Sequence, residues 1–385
     1  MQIVKFQLGR PQQYAGVLLF CFLLQCLWLT THIPMTTSDY DYARCGREMW
    51  EKPSPLAGYF TSCGNMQDGT FAYRAAGLPL TIQRIVLGFA GGATTWEMRH
   101  ELTYVNTLIR LPFIFFGLWL GGAIWWVARR LYGNEGGFLG LAAYCFSPPI
   151  LRVCIQPNNE IIAMWGLFGI VYTAIGVAHA MQGPRRKWRP RILLLTVAFG
   201  VTASAHLIAA LIGLILALGF MFYLAETRRG EVLQVLTFTS LGAFFILFAS
   251  YAFRPSALLY VFAGGEARTW LSFSSAARLF TNPYCGGFYA ALVLALFFFF
   301  ALRRCRYFGN STPLLCAIFI LPIITTSVRT QPWLWALPFL LVFLGGIFAD
   351  LLESRQRRYF LGIISALLIV QIVLNFYAYP QLLQN

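Results

Sequence analysis

Long apolar runs, each closed by a short cluster of arginine or lysine, recur along the whole 385-residue chain. A helix that crosses a bilayer needs about 20 mostly apolar residues. Hydrocarbon offers its backbone N–H and C=O groups no partner outside the helix itself. The pattern predicts an all-α polytopic membrane protein of about eleven transmembrane helices. The spans are expected at 14–34, 107–128, 136–154, 160–181, 191–205, 207–224, 232–252, 284–302, 311–328, 332–351 and 358–378. The stretch 191–224 is too long for one crossing, and Ala205-His206 is the expected turn within it. The first run is too long for a cleaved signal peptide, and Thr30-Thr31-His32-Ile33-Pro34 after it has no small-residue cleavage pattern.

Composition agrees. Apolar residues make up 58% of the chain and charged residues 11%, against about 25% charged in a soluble domain. The net charge of +15 raises nucleic acid as a partner. The cations, however, sit in short clusters between apolar runs, which is positive-inside sorting rather than a basic groove, so nucleic acid is excluded. With the N-terminus in the cytoplasm, one side collects Lys5 and Arg10, then Arg129 and Arg130, then Arg185 to Arg191, then Arg228 and Arg229, then Arg303 to Arg306, then Arg355 to Arg358. Residues 35–106, 150–160, 253–283 and 327–331, and the C-terminus, fall on the opposite side. Residues 1–385 read as one transmembrane domain, with 35–106 an elaborated first outer loop and 253–283 a second, irregular outer segment.

Within the first loop, Tyr42 to Lys52 reads as an amphipathic interfacial helix. Tyr42, Cys45, Met49 and Trp50 would face lipid, and Arg44, Arg47, Glu48 and Glu51 water. Residues 79–90 are expected to form a second one. Cys21, Cys26, Cys145, Cys305 and Cys316 lie in or beside apolar runs and read as small apolar filler. Cys45 and Cys63 share the first outer loop and are the candidate disulfide. No CxxC or histidine-rich metal spacing occurs, and no internal repeat of the kind many secondary transporters carry is seen.

Acidic residues are few enough to weigh singly. Asp39 and Asp41 directly follow the first span. A carboxylate at the membrane surface under a protein cover suits a general base toward an acceptor hydroxyl, and partial desolvation strengthens it. The plainer role is to cap the following helix. Glu160 heads the fourth span, where a carboxylate is costly unless it faces a cavity or water. A first-loop carboxylate together with Glu160 has the chemistry to hold a divalent cation or a cationic group. Among outer-side cations, Arg110, Arg329, Arg254, Arg268 and Arg278 run against positive-inside sorting. A surface phosphate would explain them, since guanidinium binds phosphate oxygens bidentately; snorkelling to ordinary lipid headgroups is the alternative. His206, at its turn, either contacts phosphate or is hydrogen-bonded at a helix end.

One apolar span, then acidic residues leading into an interfacial helix, resembles the GT-C glycosyltransferases, and within them the branch of protein O-mannosyltransferases and the lipid A aminoarabinose transferase. Leu108-Ile109-Arg110-Leu111-Pro112 through Ala128-Arg129-Arg130-Leu131-Tyr132-Gly133 is similar to that branch's second span and cytoplasmic turn. Phe146-Ser147-Pro148-Pro149, with Glu160 following, looks like its third outer turn, where an Asp is usual. Arg329 with Trp335-Ala336-Leu337-Pro338-Phe339-Leu340 resembles a late R-x-L-L-P-x-L-P-F segment. The resemblance covers most of 14–225 and a patch near 329–346.

It implies an inverting transfer of a sugar from a polyprenyl-phosphate donor to a hydroxyl in a bacterial inner membrane. Asp39 or Asp41 would be the base, Glu160 the second acidic position, and Arg110, Arg329, Arg268 and His206 the donor-phosphate set. The sequence also departs from the pattern. Asp-Tyr-Asp stands where Asp-Glu is common, Gly77-Leu78-Pro79-Leu80 where His-Pro is usual, and Ala205-His206 where a Lys is frequent; the C-terminal soluble domain of larger members is missing. These departures set a second reading beside the first, a non-catalytic GT-C-like subunit among other membrane subunits. A lipid or solute transporter is the third.

Overall fold

A computed structural model describes residues 9–51, 69–89, 99–183, 188–225, 228–255, 258, 269–271, 286–302, 308–325 and 332–384. The expected apolar runs are helical. Helix α1 (Arg10–His32) starts with a proline in its first turn and buries Ala15, Phe22, Gln25, Cys26, Leu29 and Thr30 along one stripe. Tyr14, Val17, Phe20, Leu24 and Trp28 point outward. An apolar outer face of this kind is what lipid contact requires. Two short helices follow, α2 (Thr37–Glu51) and α3 (Phe71–Phe89).

Helix α4 (Arg99–Cys145) folds back on itself at Gly133, whose φ of 81° favours glycine, so that Tyr144 Oη donates to the Gly117 carbonyl at 2.6 Å, and α5 (Pro148–Cys154) continues after a break at Ser147. Then come α6 (Glu160–Met181), α7 (Arg189–Ala205), α8 (Leu207–Leu224) and α9 (Arg229–Ser250). The break between α7 and α8 is at His206, as the sequence predicts. The later part holds α10 (Gly286–Leu302), α11 (Phe308–Ile320), α12 (Pro332–Leu352) and α13 (Arg357–Gln384). Among the described residues, seven helices are long and apolar enough to cross a membrane, so the chain is a multi-pass membrane protein. Helix α12 is the most enclosed of them and packs chiefly against α4.

The structure corrects the sequence reading in two places. The ninth expected span, 311–328, is a shorter helix that ends at Ile320. The chain then forms a strand, β2 (Ile323–Thr325), paired antiparallel with β1 (Thr269–Leu271). Uniform apolarity does not separate helix from strand; the β-branched run Ile323-Ile324-Thr325 does. Second, α2 does not turn Cys45 and Met49 to lipid. Both are buried, because α3 begins at Phe71 rather than 79 and covers them. Gly46 and Gly77 let the two backbones touch: a Cβ on Gly77 would meet the carbonyl of Gly46, and one on Gly46 would come within 2.8 Å of the Gly77 nitrogen. Tyr42 stacks on Tyr73 at 4.2 Å. Trp50 is exposed but donates its Nε1–H to the Arg74 carbonyl at 2.8 Å. Arg47 and Glu51, expected in water, are mostly buried and bonded to each other at 2.6 Å.

Helix α13 is fastened by polar side chains one turn apart. Gln371 donates to the Phe146 carbonyl (2.9 Å) and accepts the Phe288 N–H (2.8 Å). Asn375 Nδ2 and Tyr379 Oη both donate to Gln25 Oε1 on α1, each at 2.8 Å. Gln25 Nε2 in turn faces the carbonyls of Cys21 (3.3 Å) and Cys145 (3.4 Å).

Candidate functional site

Two buried polar clusters stand at the end of the bundle that carries α2 and α3. The first forms where α1 stops. Its last carbonyls have no partner within the helix, and α4 supplies donors from two residues one turn apart. Asn106 Nδ2 reaches the carbonyls of Thr30 (3.3 Å) and Ile33 (2.8 Å). Arg110 reaches those of Ile33 (3.5 Å) and Pro34 (3.3 Å). Arg110 is fully buried, and its Nη2 ends 2.9 Å from Asp39 Oδ2.

Asp39 itself sits in a capping box. Its Oδ2 accepts the Thr36 N–H at 3.0 Å, and its own N–H donates to Thr36 Oγ1 at 3.2 Å. The capping role expected of one of the two aspartates is thus met by Asp39, which also carries the ion pair. Its other oxygen, Oδ1, has no hydrogen-bond donor among the described residues. Asp41 lies about 200° further round the helix, where it pairs with Arg44 at 3.3 Å on an exposed surface.

The second cluster joins the heads of α6, α8 and α12. Asn158 Oδ1 caps α6 by accepting the N–H groups of Glu160 (2.9 Å) and Ile161 (3.2 Å). Glu160 is buried, and its Oε2 accepts the Trp335 Nε1–H at 2.6 Å. The Trp335 ring meets His206 edge-on, with centroids 4.7 Å apart and planes at 72°. His206 is 4% exposed, and among the described residues neither ring nitrogen has a hydrogen-bond partner. Burial pushes its pKa down to about 4, so the ring is neutral. Asn159 Oδ1 is likewise buried without a donor.

The loop entering α3 leans on this second cluster. Gly69, at φ 131°, is so close to the His206 turn that a Cβ there would stand 2.7 Å from the Ala205 carbonyl oxygen. Thr70 Oγ1 (2.9 Å) and Arg74 Nε (2.7 Å) both donate to the Ser250 carbonyl at the end of α9. Arg254 follows that end, after Ala252 and Phe253 with φ of 53° and 58°.

The structure therefore brings Glu160 and His206 together through Trp335, sets Asp39 against Arg110, and leaves Asp41 apart. Arg329, Arg268, Arg278 and Cys63 lie outside the described residues. Cys45 is disulfide-bonded, and its partner also lies outside them. Sequence reasoning missed Asn106, Asn159 and the indole N–H of Trp335. Their only signal is a polar atom placed in an apolar helix or at its head. Among the described residues, no group of three or more His, Cys, Asp or Glu is arranged to hold a metal ion. Asp39 Oδ2 is held by a guanidinium and Glu160 Oε2 by an indole N–H.

The helical bundle has a GT-C-like polytopic membrane fold. The chain aligns with ArnT, the lipid A aminoarabinose transferase, of Cupriavidus metallidurans in the apo state at a TM-score of 0.63 and 13% identity, over 96% of this chain and 75% of that one. For the same protein bound to undecaprenyl phosphate the values are 0.61, 14%, 96% and 75%. The archaeal oligosaccharyltransferase AglB of Archaeoglobus fulgidus, in complex with an inhibitory peptide and a dolichol-phosphate, aligns at 0.54 and 11% identity, over 96% of this chain and 56% of that one. No family model and no curated protein matches the chain. At such identities the likeness concerns the fold.

Proposed function

We propose that this protein is a membrane glycosyltransferase that moves a sugar from a polyprenyl phosphate to an acceptor hydroxyl. The reaction would take place at the α2–α3 end, on the periplasmic face of a bacterial inner membrane, with the N-terminus cytoplasmic and the C-terminus periplasmic. The observation that carries the reading is Asp39, a buried carboxylate with one oxygen fixed and the other open. Two of the solved structures sharing the fold hold undecaprenyl phosphate or dolichol-phosphate.

In this mechanism Arg110 and the Thr36 N–H grip Oδ2 and aim Oδ1 at the acceptor. The acceptor O–H passes its proton to Oδ1 as its oxygen attacks the anomeric carbon. The bond from that carbon to the phosphate oxygen breaks on the opposite face, and the configuration inverts. Polyprenyl phosphate leaves as an anion, stabilised by cations in the outer segments. Arg110 is bonded to Asp39 and reaches two carbonyls, so it positions the base, and Arg254, Arg268 and Arg329 take the phosphate role. Asp41, solvated beside Arg44, is not the base. The Cys45 disulfide is assigned to Cys63.

The test is transfer of labelled sugar from undecaprenyl phosphate glycosides to acceptors in membrane vesicles. Asp39→Asn should lower transfer by about 10²–10⁴-fold, and Asp41→Asn should leave it near the wild-type rate. Full activity in Asp39→Asn would remove Asp39 from the mechanism. The commitment of Glu160 to Trp335 favours one alternative, a non-catalytic subunit. Stable co-purification with partner chains and no bound polyprenyl lipid would select it.

A further inference from the structure

We propose that His206 and Asn159 form a subsite for an uncharged hydroxyl-bearing group, and that in the transferase reading, on which this rests, the group is a hydroxyl of the donor sugar. Both residues present buried polar atoms that nothing among the described residues satisfies: Nδ1 and Nε2 of His206, and Oδ1 of Asn159. Folded proteins leave few such atoms, because an unmade bond in a buried place is expensive.

The neighbouring donors are already engaged. The Trp335 N–H goes to Glu160. The Asn158 amide goes to the carbonyls of Val153 (2.9 Å) and Gln156 (2.8 Å). The Thr202 and Ser204 hydroxyls bond back to the Ala198 and Gly200 carbonyls of their own helix, at 2.5 and 2.7 Å. Among the described residues, these donors leave the three atoms unmet.

The chemistry of the unmet atoms selects the ligand. A neutral imidazole offers one N–H donor and one lone-pair acceptor, and the amide oxygen offers only acceptors. A hydroxyl group, which both donates and accepts, complements that set. A phosphate only accepts, so it would take the imidazole N–H and leave the second ring nitrogen and Asn159 Oδ1 unmet, beside the Glu160 carboxylate. The position to which the resemblance gives a phosphate-binding role is thus better matched to sugar. The indole of Trp335, held still by Glu160, fixes the plane of the imidazole from its edge.

The experiment compares wild type with His206→Phe and Asn159→Ala. Bound lipid is read by native mass spectrometry, with bare undecaprenyl phosphate and its glucosyl, mannosyl and arabinosyl esters as probes. Wild type should hold at least one glycosyl ester more tightly than the bare lipid. Each variant should lose that preference by about tenfold, with bare-lipid binding within about twofold of wild type. An unchanged preference, or bare-lipid binding that falls in step with the ester, overturns the subsite while leaving the transferase reading standing. No binding of any of the four lipids by wild type overturns that reading and the subsite with it. A second readout needs no lipid: ligand-free His206→Phe should melt a few degrees above wild type, because it removes two unsatisfied buried nitrogens. A lower midpoint would assign the ring a structural partner and overturn the proposal.

Discussion

Arg110 Nη2 and Asp39 Oδ2 meet at 2.9 Å across 71 residues of sequence, with side-chain exposures of 0% and 5%. Removing one member strands the other charge in a poorly solvated place, which typically costs about 3–5 kcal/mol. Arg110→Ala should therefore unfold at a lower temperature in detergent than the Arg110→Ala, Asp39→Asn double variant. Purely additive losses in that cycle would mean that the two groups do not depend on each other.

Trp335→Phe keeps the ring but removes the N–H that Glu160 Oε2 accepts at 2.6 Å. The expected loss is about 1–3 kcal/mol. In the Phe background, Glu160→Gln should recover part of it, because a neutral amide is cheaper to leave short of donors than a carboxylate. Thermal midpoints of the three variants decide this, and a silent Trp335→Phe would show the bond to be dispensable.

His206 makes stability depend on pH in a defined direction. Folded, it titrates at about 4, against 6.5 for an unhindered imidazole. Between these values the unfolded chain takes up a proton that the buried ring refuses. Stability is therefore retained above pH 6.5 and falls as the pH drops toward 4, by roughly 3 kcal/mol over the window. His206→Phe should flatten that stretch of a midpoint-against-pH curve. Equal slopes for the two proteins would contradict the assignment.

Cys45 is buried between α2 and α3 and disulfide-bonded. Cys45→Ser should cost about 2–5 kcal/mol and release one thiol to alkylation. Peptide mapping without reductant should join Cys45 to the peptide containing Cys63. A bridge to any other cysteine would refute that pairing.

The helices were legible because lipid demands long apolar runs, and the α7–α8 break was legible because two crossings cannot fit without one. The Thr36/Asp39 cap could also be read, since a capping box is local. What covers α2 could not. An apolar helix face has the same pattern whether lipid or another helix meets it, and only the paired Gly46 and Gly77 hinted at a backbone contact. Nor does spacing announce that Arg110 turns inward to Asp39, or that Trp335 reaches Glu160 across 175 residues. Those contacts are fixed by the order in which helices pack, a property of the whole bundle.

The clasp between α1 and α13 bears on how the protein is made. Asn375 and Tyr379 follow Gln25 by 350 and 354 residues. At synthesis rates of about 5–20 residues per second, the glutamine amide waits roughly 20–70 s in the bilayer before either partner exists. Its Nε2 can bond meanwhile to the Cys21 carbonyl, one turn back in its own helix. Helix α1 is thus a segment that the membrane can hold half-satisfied during translation, and α13 is the arrival that locks it.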